Sequence, residues 1–474
     1  MIFANLFFLY VFLPLNLLLY YLTKNLAYRN AVLVVFSLFF YAWGEPVWVV
    51  LLLFSAVIDY FHGLFIERYR GKKIARLGVV SSLVLNLGLL VAFKYSGFLY
   101  ENLNAWFHLG LEVPAFTLPI GISFYTFQTI SYTVDVYRGD AKVQHNFGKF
   151  LLFVSSYHQL VAGPIVRYSY IAEEVDSRQT TLADFYSGIG RFVTGLGKKV
   201  MIANVAGSFA SRYLDGELSG LSVAGAWFGI AMFSLQIYFD FSGYSDMAIG
   251  LGRMFGFHYR ENFNYPYISR SATEFWRRWH ISLGSFFRDY VYIPMGGNRR
   301  HQYINLFVVW FLTGLWHGAS WNFILWGLYF GVLIVAEKLF LQKLFDRLPG
   351  ALSQVVSRLY FLFIAIFGWA IFYFTDLGRL GEFIGAMFGA GGRPAVDTLL
   401  PLTLSNNLFW IIAAVIGCLP VVPLLKKKLI GDGEDAKSAL WVTALQPLIY
   451  LSILFVCTAM LVGESYNPFL YFRF

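Results

Sequence analysis

Long apolar runs separated by short polar breaks fill almost the whole chain, a pattern that predicts helices threaded repeatedly through a membrane. The runs fall at residues 4–22, 31–43, 47–65, 79–93, 116–134 and 147–161, then at 221–239, 304–315, 322–337, 359–374, 408–425 and 441–462. At roughly 20 residues per crossing there is room for ten or more helices. Gly44-Glu45-Pro46, Pro119-Ile120-Gly121 and Ala162-Gly163-Pro164 predict breaks or kinks, which a membrane helix tolerates only where neighbours satisfy the freed backbone groups. Residues 185–205, interrupted by Lys198-Lys199, read as partly inserted, and the charged stretch 165–182 as a solvated loop or surface helix. Residues 273–290 have helical spacing but too many charges to cross, which predicts a helix lying in the interface or re-entering the protein.

Basic residues cluster between the runs, at Lys24 and Arg29, at Glu67-Arg68-Tyr69-Arg70-Gly71-Lys72-Lys73 and at Lys426-Lys427-Lys428. Under the positive-inside rule these clusters lie in the cytoplasm, with the amino terminus and residues 463–474 outside. The first 22 residues lack a basic n-region and a small-residue cleavage site, so they read as a retained span rather than a signal peptide.

Composition agrees with the pattern. The 474 residues are 58% hydrophobic and 13% charged, against about 45–50% and 25% for a soluble chain, so the class is all-α and polytopic. The net charge of +9 is accounted for by the loop clusters and does not point to nucleic acid. Cys418 and Cys457 lie in apolar runs without metal-type spacing, so neither a disulfide framework nor a metal is expected. No internal repeat or soluble domain is visible. The expectation is one membrane domain over 1–474, with a core at about 118–330 and C-terminal helices plus an aromatic tail at about 355–474.

Against this background the stretch from Trp276 to Trp321 is unusually polar. It holds His280 and His317, each directly after a tryptophan, with Arg277, Arg278, Arg288, Asp289, Arg299 and Arg300. His317 sits in an apolar run beside Gly314 and Gly318, and two readings apply. The glycines could simply let helices approach closely, or the imidazole could be a general base suited to taking a proton from a hydroxyl or thiol. His280 is either an interfacial histidine or a second polar group in the same cavity, orienting His317 or donating to an oxyanion. Arg277, Arg278, Arg299 and Arg300 either anchor the chain at the membrane face or bind phosphates of a nucleotide-bearing donor. Asp240 and Asp246 read as caps or arginine partners at a helix break, with a proton pathway as the alternative. The remaining histidines read as loop or interface residues. Tyr471, in the ending Phe469-Leu470-Tyr471-Phe472-Arg473-Phe474, lies near the membrane surface within reach of a cavity.

Five collinear strings resemble the membrane-bound O-acyltransferase (MBOAT) family, in its bacterial branch of alginate and peptidoglycan O-acetylation proteins and teichoic acid D-alanyl transfer proteins. They are LPIGISFYTFQTISYTVDVYRGD at 118–140, LVAGPIVRY at 160–168, YFDFSGYSDMAIGLG at 238–252, ENFNYPYISRSATEFWRRWHISLGSFFRDYVYIPMGGNR at 261–299 and LTGLWHGASWNFILWG at 312–327. The resemblance implies a ring of about 11–13 transmembrane or re-entrant helices around a central tunnel in a bacterial inner membrane. It places the essential base on His317 and a second polar position on His280. Donor contacts would fall on Arg277, Arg278 and Trp316, with acetyl-CoA as the expected donor. The F-x-Y-x-x-F ending resembles a small partner peptide of the D-alanyl system, which makes Tyr471 a candidate acyl carrier. Implied partners are a polysaccharide acceptor, membrane lipids and an extracytoplasmic esterase-fold (SGNH-type) acetyltransferase. A transporter or flippase for a lipid-linked saccharide is the alternative that broken helices and intramembrane acids would also suit.

Overall fold

A computed structural model of the full chain describes residues 1–114, 116–430, 436–463 and Leu470, with the side chains of 426, 427, 429, 430 and 436–444 outside the description. Every regular element among the described residues is helical. Eight of the helices are long and apolar enough to cross a membrane. The chain divides into two compact units. One comprises Met1–Phe192 with Tyr244–Glu261, and the other Val193–Gly243 with Asn262–Phe474.

The first unit begins with α1 (Phe8–Tyr21), α2 (Leu26–Gly44), α3 (Val49–Arg68) and α4 (Ala75–Phe107). α5 (Ile122–Arg138) and α6 (Phe147–Ser155) follow. The predicted kink before α5 is a non-helical entry: Gly121 has φ +78°, and a Cβ there would stand 2.8 Å from the Leu160 carbonyl oxygen. Only glycine meets both demands. α5 is buried on nearly every face, including Gln128, Thr129, Ser131 and Thr133. Thr129 and Thr133 join a hydrogen-bonded set around the fully buried Asp59 of α3, through Asn86 and Ser82. Ser82 Oγ donates to Asp59 at 2.6 Å and Asn86 Nδ2 at 2.7 Å, both from α4.

Of the two readings for 165–182, the surface helix holds, but not every charge there is solvated. α7 (Tyr168–Ser177) is amphipathic, and Arg178 just beyond it is buried. The Arg178 guanidinium donates to the Tyr20 hydroxyl at 3.0 Å, to the Phe255 carbonyl at 3.0 Å and to Asn30 Oδ1 at 2.6 Å. A buried guanidinium persists only where acceptors meet most of its donors, as they do here for Nε and Nη1. His158 is likewise no loop residue: it is fully buried and hydrogen-bonded to the Tyr259 hydroxyl.

Outside the spans, His258 meets Glu174 at 2.7 Å and Asp184 at 3.4 Å. Partial burial alone would lower its pKa, but hydrogen bonds and charge attraction from the two carboxylates outweigh that and raise it. The folded-state pKa lies above the unfolded one, so the contribution is complete below about pH 6.5. It is lost as pH rises through the folded value. His258→Gln should therefore lower thermal stability below pH 6.5, by less than about 1 kcal/mol for so exposed a pair, and leave it unchanged at alkaline pH. Melting curves of the purified protein across pH test this, and a difference that grows with pH would contradict it.

α8 (Leu182–Gly197) and α9 (Val223–Met254) contribute residues to both units. α9 runs unbroken for 32 residues, so Asp240 and Asp246 lie within a helix rather than at a break. In the first unit Asp246 pairs with Arg191 at 2.7 Å, and the same arginine also pairs with Glu261. The second unit adds α10 (Ala272–Arg278), α11 (Ile281–Phe287) and α12 (Gln302–His317). α13 (Trp321–Asp346), α14 (Gly350–Tyr373), α15 (Leu399–Gly417) and α16 (Ala436–Gly463) are its further long helices. α12 and α13 form an antiparallel hairpin closed on glycines. A Cβ at Gly314 would collide with the Phe323 carbonyl oxygen, and one at Gly327 with that of Trp310. Small residues thus serve the close approach that membrane helix pairs use.

Candidate active site

α10 and α11 are two short helices meeting at Trp279-His280, in place of the single helix that the spacing of 273–290 predicts. The α10 N-terminus is tightly capped. Ser271 Oγ accepts the Glu274 N–H at 3.0 Å, and the buried Glu337 carboxylate accepts the Ala272 and Thr273 N–H groups at 2.6 and 2.9 Å. Negative charge at a helix N-terminus is favourable on both hydrogen-bond and dipole grounds. Between the helices His280 adopts a left-handed backbone with φ +44°. Strain of this kind in a non-glycine residue persists only where its surroundings hold it.

The holder is Asn262, which the motif reading did not single out. Its Oδ1 accepts the Ser282 N–H at 3.2 Å and the Ser282 hydroxyl at 2.9 Å, which identifies that atom as the carbonyl oxygen. His280 Nδ1, 3.2 Å away, must then be the donor, and in the neutral ring Nε2 keeps the lone pair. Nε2 is buried and has no hydrogen-bond partner among the described residues. His280 lines a cavity of about 500 Å³, whose walls also include Arg277, Ser285, Arg288, Tyr292 and Thr313. That is within the range of small-molecule sites.

His317 is the last residue of α12. Its imidazole packs against Trp316, Trp326 and Phe372, with ring centres 5.0, 5.0 and 5.3 Å away. It lines a second, much smaller cavity of about 20 Å³ together with Asp240, Phe241, Trp279 and Leu470. That volume holds about one water. Trp279 belongs to the walls of both cavities, so one indole stands between the side served by His280 and the side served by His317.

Asp240 has two partners within this unit. Its carboxylate pairs with the buried Lys199 ammonium at 2.8 Å and accepts the Leu470 backbone N–H at 2.9 Å. Among the described residues no group of three or more His, Cys, Asp or Glu is placed to hold a metal.

Comparison with known proteins decides what this architecture belongs to. The sequence pattern described as MBOAT, membrane-bound O-acyltransferase family, matches residues 138–374. The chain is 38% identical, over the full length of both, to a protein of Azotobacter vinelandii described as a probable alginate O-acetylase, AlgI. It is also 34% identical to the peptidoglycan O-acetyltransferase of Helicobacter pylori, over 81% of this chain and 79% of that one. The chain belongs to the membrane-bound O-acyltransferase family. It is similar, at 28% identity over 53% of its length and 68% of the relative's, to the teichoic acid D-alanyltransferase of Bacillus subtilis.

This membrane acyltransferase, a multi-pass protein of the bacterial inner membrane, arranges the sequence-predicted residues unevenly. His280 and Arg277 face the large cavity and His317 the small one. Trp316 lies beside both imidazoles, its ring 5.8 Å from that of His280, without lining either cavity. Arg278 is held off the large cavity by Glu274, at 3.0 Å, and by the Asn264 carbonyl. Tyr471 lies outside the described residues, although its neighbour Leu470 is placed in the His317 cavity. Asn262 and Asp240 lie within the resembling strings, which do not mark them as the partners of His280 and Lys199, and Glu337 lies outside those strings. No helical or strand spacing links any of them to its partner.

Proposed function

We propose that this acyltransferase moves an acetyl group from acetyl-CoA on the cytoplasmic side to an acceptor on the outer side, for O-acetylation of an extracytoplasmic polysaccharide. The observation that carries the reading is the paired arrangement about Trp279. A roomy cavity with Arg277, Arg288 and His280 suits a thioester donor bearing phosphates. A tight cavity with His317 suits proton abstraction beside one small nucleophile. The acceptor class is supported by the relatives, whose described activities concern alginate and peptidoglycan.

In the proposed sequence His317 takes the phenolic proton of Tyr471, and the phenolate attacks the thioester carbonyl. The C–S bond breaks, the coenzyme leaves as a thiol on regaining a proton, and an acetyl-tyrosine ester remains. A second transfer delivers the acetyl group to an acceptor hydroxyl, through an esterase-fold partner outside the membrane, and returns the tyrosine to its phenol. Splitting one transfer into two is the ordinary advantage of a covalent intermediate. The support for Tyr471 is the placement of Leu470 against Asp240 in the cavity that His317 lines.

The test is the intact mass of the purified protein after incubation with acetyl-CoA. Wild type is expected to gain one acetyl group and Tyr471→Phe none. Donor turnover without an adduct in wild type would remove the relay while leaving the acyltransferase reading in place.

A further inference from the structure

Far along the chain from the catalytic motifs, α3 and α4 of the first unit form a groove of about 660 Å³. Its walls are large and apolar, and the most open of them, Phe61, Leu77 and Val84, are each more than 60% exposed. Two polar side chains interrupt this surface. His62 Nε2 and Ser81 Oγ lie 2.9 Å apart, and His62 Nδ1 lies 3.2 Å from the buried Asp59.

Asp59, His62 and Ser81 are in line like a hydrolytic triad, but the surroundings argue against hydrolysis. Ser81 lies within α4, where the helix's own hydrogen bonds occupy the nearby amides, so no oxyanion donors are available. Its hydroxyl is also 2.8 Å from the Leu77 carbonyl oxygen. The pair is better described as a polar notch in an apolar wall.

The notch has a definite depth. His62 precedes Arg68 by six residues and Ser81 follows Ala75 by six, which places both about 9 Å in from the helix ends. Those ends are joined by the loop carrying Arg68, Arg70, Lys72 and Lys73, in which the one acid, Glu67, is taken by His145 at 3.2 Å. From the surface inward the groove therefore offers exposed cations, then hydrogen-bonding groups, then an apolar trough. An anionic phospholipid has this order of parts: phosphate, glycerol ester, acyl chain. At about 9 Å the notch lies just inside an interfacial layer of roughly 5–7 Å, near the depth where ester groups give way to acyl chains.

We propose that this groove is a binding site for an anionic phospholipid of the cytoplasmic leaflet. Its phosphate meets the 68–73 loop, its ester region the His62–Ser81 notch, and one acyl chain lies along Phe61, Leu77 and Val84. A docked protein helix fits less well, because helix pairs in membranes approach on small residues. The one glycine here, Gly78, turns its Cβ direction toward Phe65 and Ile66.

The experiment uses the full chain in vesicles with phosphatidylglycerol carrying a photoactivatable acyl chain, followed by peptide mapping. Cross-links are expected within 58–65 and 77–85. Excess phosphatidylglycerol should compete them away, and phosphatidylcholine of the same chains far less well. Lys72→Gln with Lys73→Gln should weaken that preference by about fivefold per lysine. Val84→Trp, a change on an exposed face, should remove these cross-links and spare others. Equal competition by the two lipids, cross-links absent from both segments, or capture of another polypeptide there would each overturn the assignment.

Discussion

Replacing His317 by alanine is expected to lower acetyl-donor turnover by at least about 10²-fold while the protein still accumulates in the membrane. The magnitude is that of a general base lost from a transition state, about 10²–10⁴-fold. Alanine also leaves a void where the imidazole packed against Trp326 and Phe372, so the loss could be mistaken for misfolding. His317→Gln separates the two effects, because it restores most of the volume and a hydrogen-bonding end but no titrating nitrogen. Both variants should lose turnover, and the glutamine variant should keep a near-native melting curve. Turnover within tenfold of wild type in His317→Gln would remove the base assignment. The measurement is donor consumption by protein in detergent, with insertion checked in membrane fractions.

The second large effect is expected at Lys199. Lys199 and Asp240 are both almost fully buried and 2.8 Å apart. Taking away one member of a buried pair leaves an uncompensated charge, at about 3–5 kcal/mol. Lys199→Met should therefore lower the melting temperature sharply. Lys199→Met combined with Asp240→Asn should recover much of the loss, since asparagine keeps an oxygen for the Leu470 N–H and carries no charge. The pair is read as a double-mutant cycle, monitored by tryptophan fluorescence during heating. Additive single effects would mean that the two groups are not coupled. A merely structural pair would restore turnover along with stability in the double variant. If Asp240 also serves the His317 cavity electrostatically, turnover will stay low after stability returns.

What the sequence makes legible is whatever recurs locally or is costly to place. The apolar runs announce helices, and the basic loops announce an orientation. His280 and His317 stand out because histidine beside tryptophan in an apolar chain is conspicuous, and both line cavities. Arg178 and His158 were not legible as core residues, since their partners Tyr20, Asn30, Phe255 and Tyr259 lie far away in the chain. Asn262 and Glu337 belong with them. Each works by accepting backbone or ring N–H groups from another element, and such acceptors have no periodicity. Arg278 shows the converse: adjacent arginines read alike in sequence, yet a partner four residues back, Glu274, holds one of them to its own helix. The 273–290 stretch had the right period for a helix, but a left-handed His280 divides it into two.

The hydrogen bond from Leu470 to Asp240 has a kinetic meaning. Leu470 meets the His317 cavity as part of the same molecule, so its supply there is set by an effective concentration rather than by how much protein is present. A step confined to this one chain is first order in protein and indifferent to dilution. Steps that need a separate acceptor or partner slow as the solution thins. A dilution series of the purified chain thus sorts the reaction into what the molecule does alone and what it does in company.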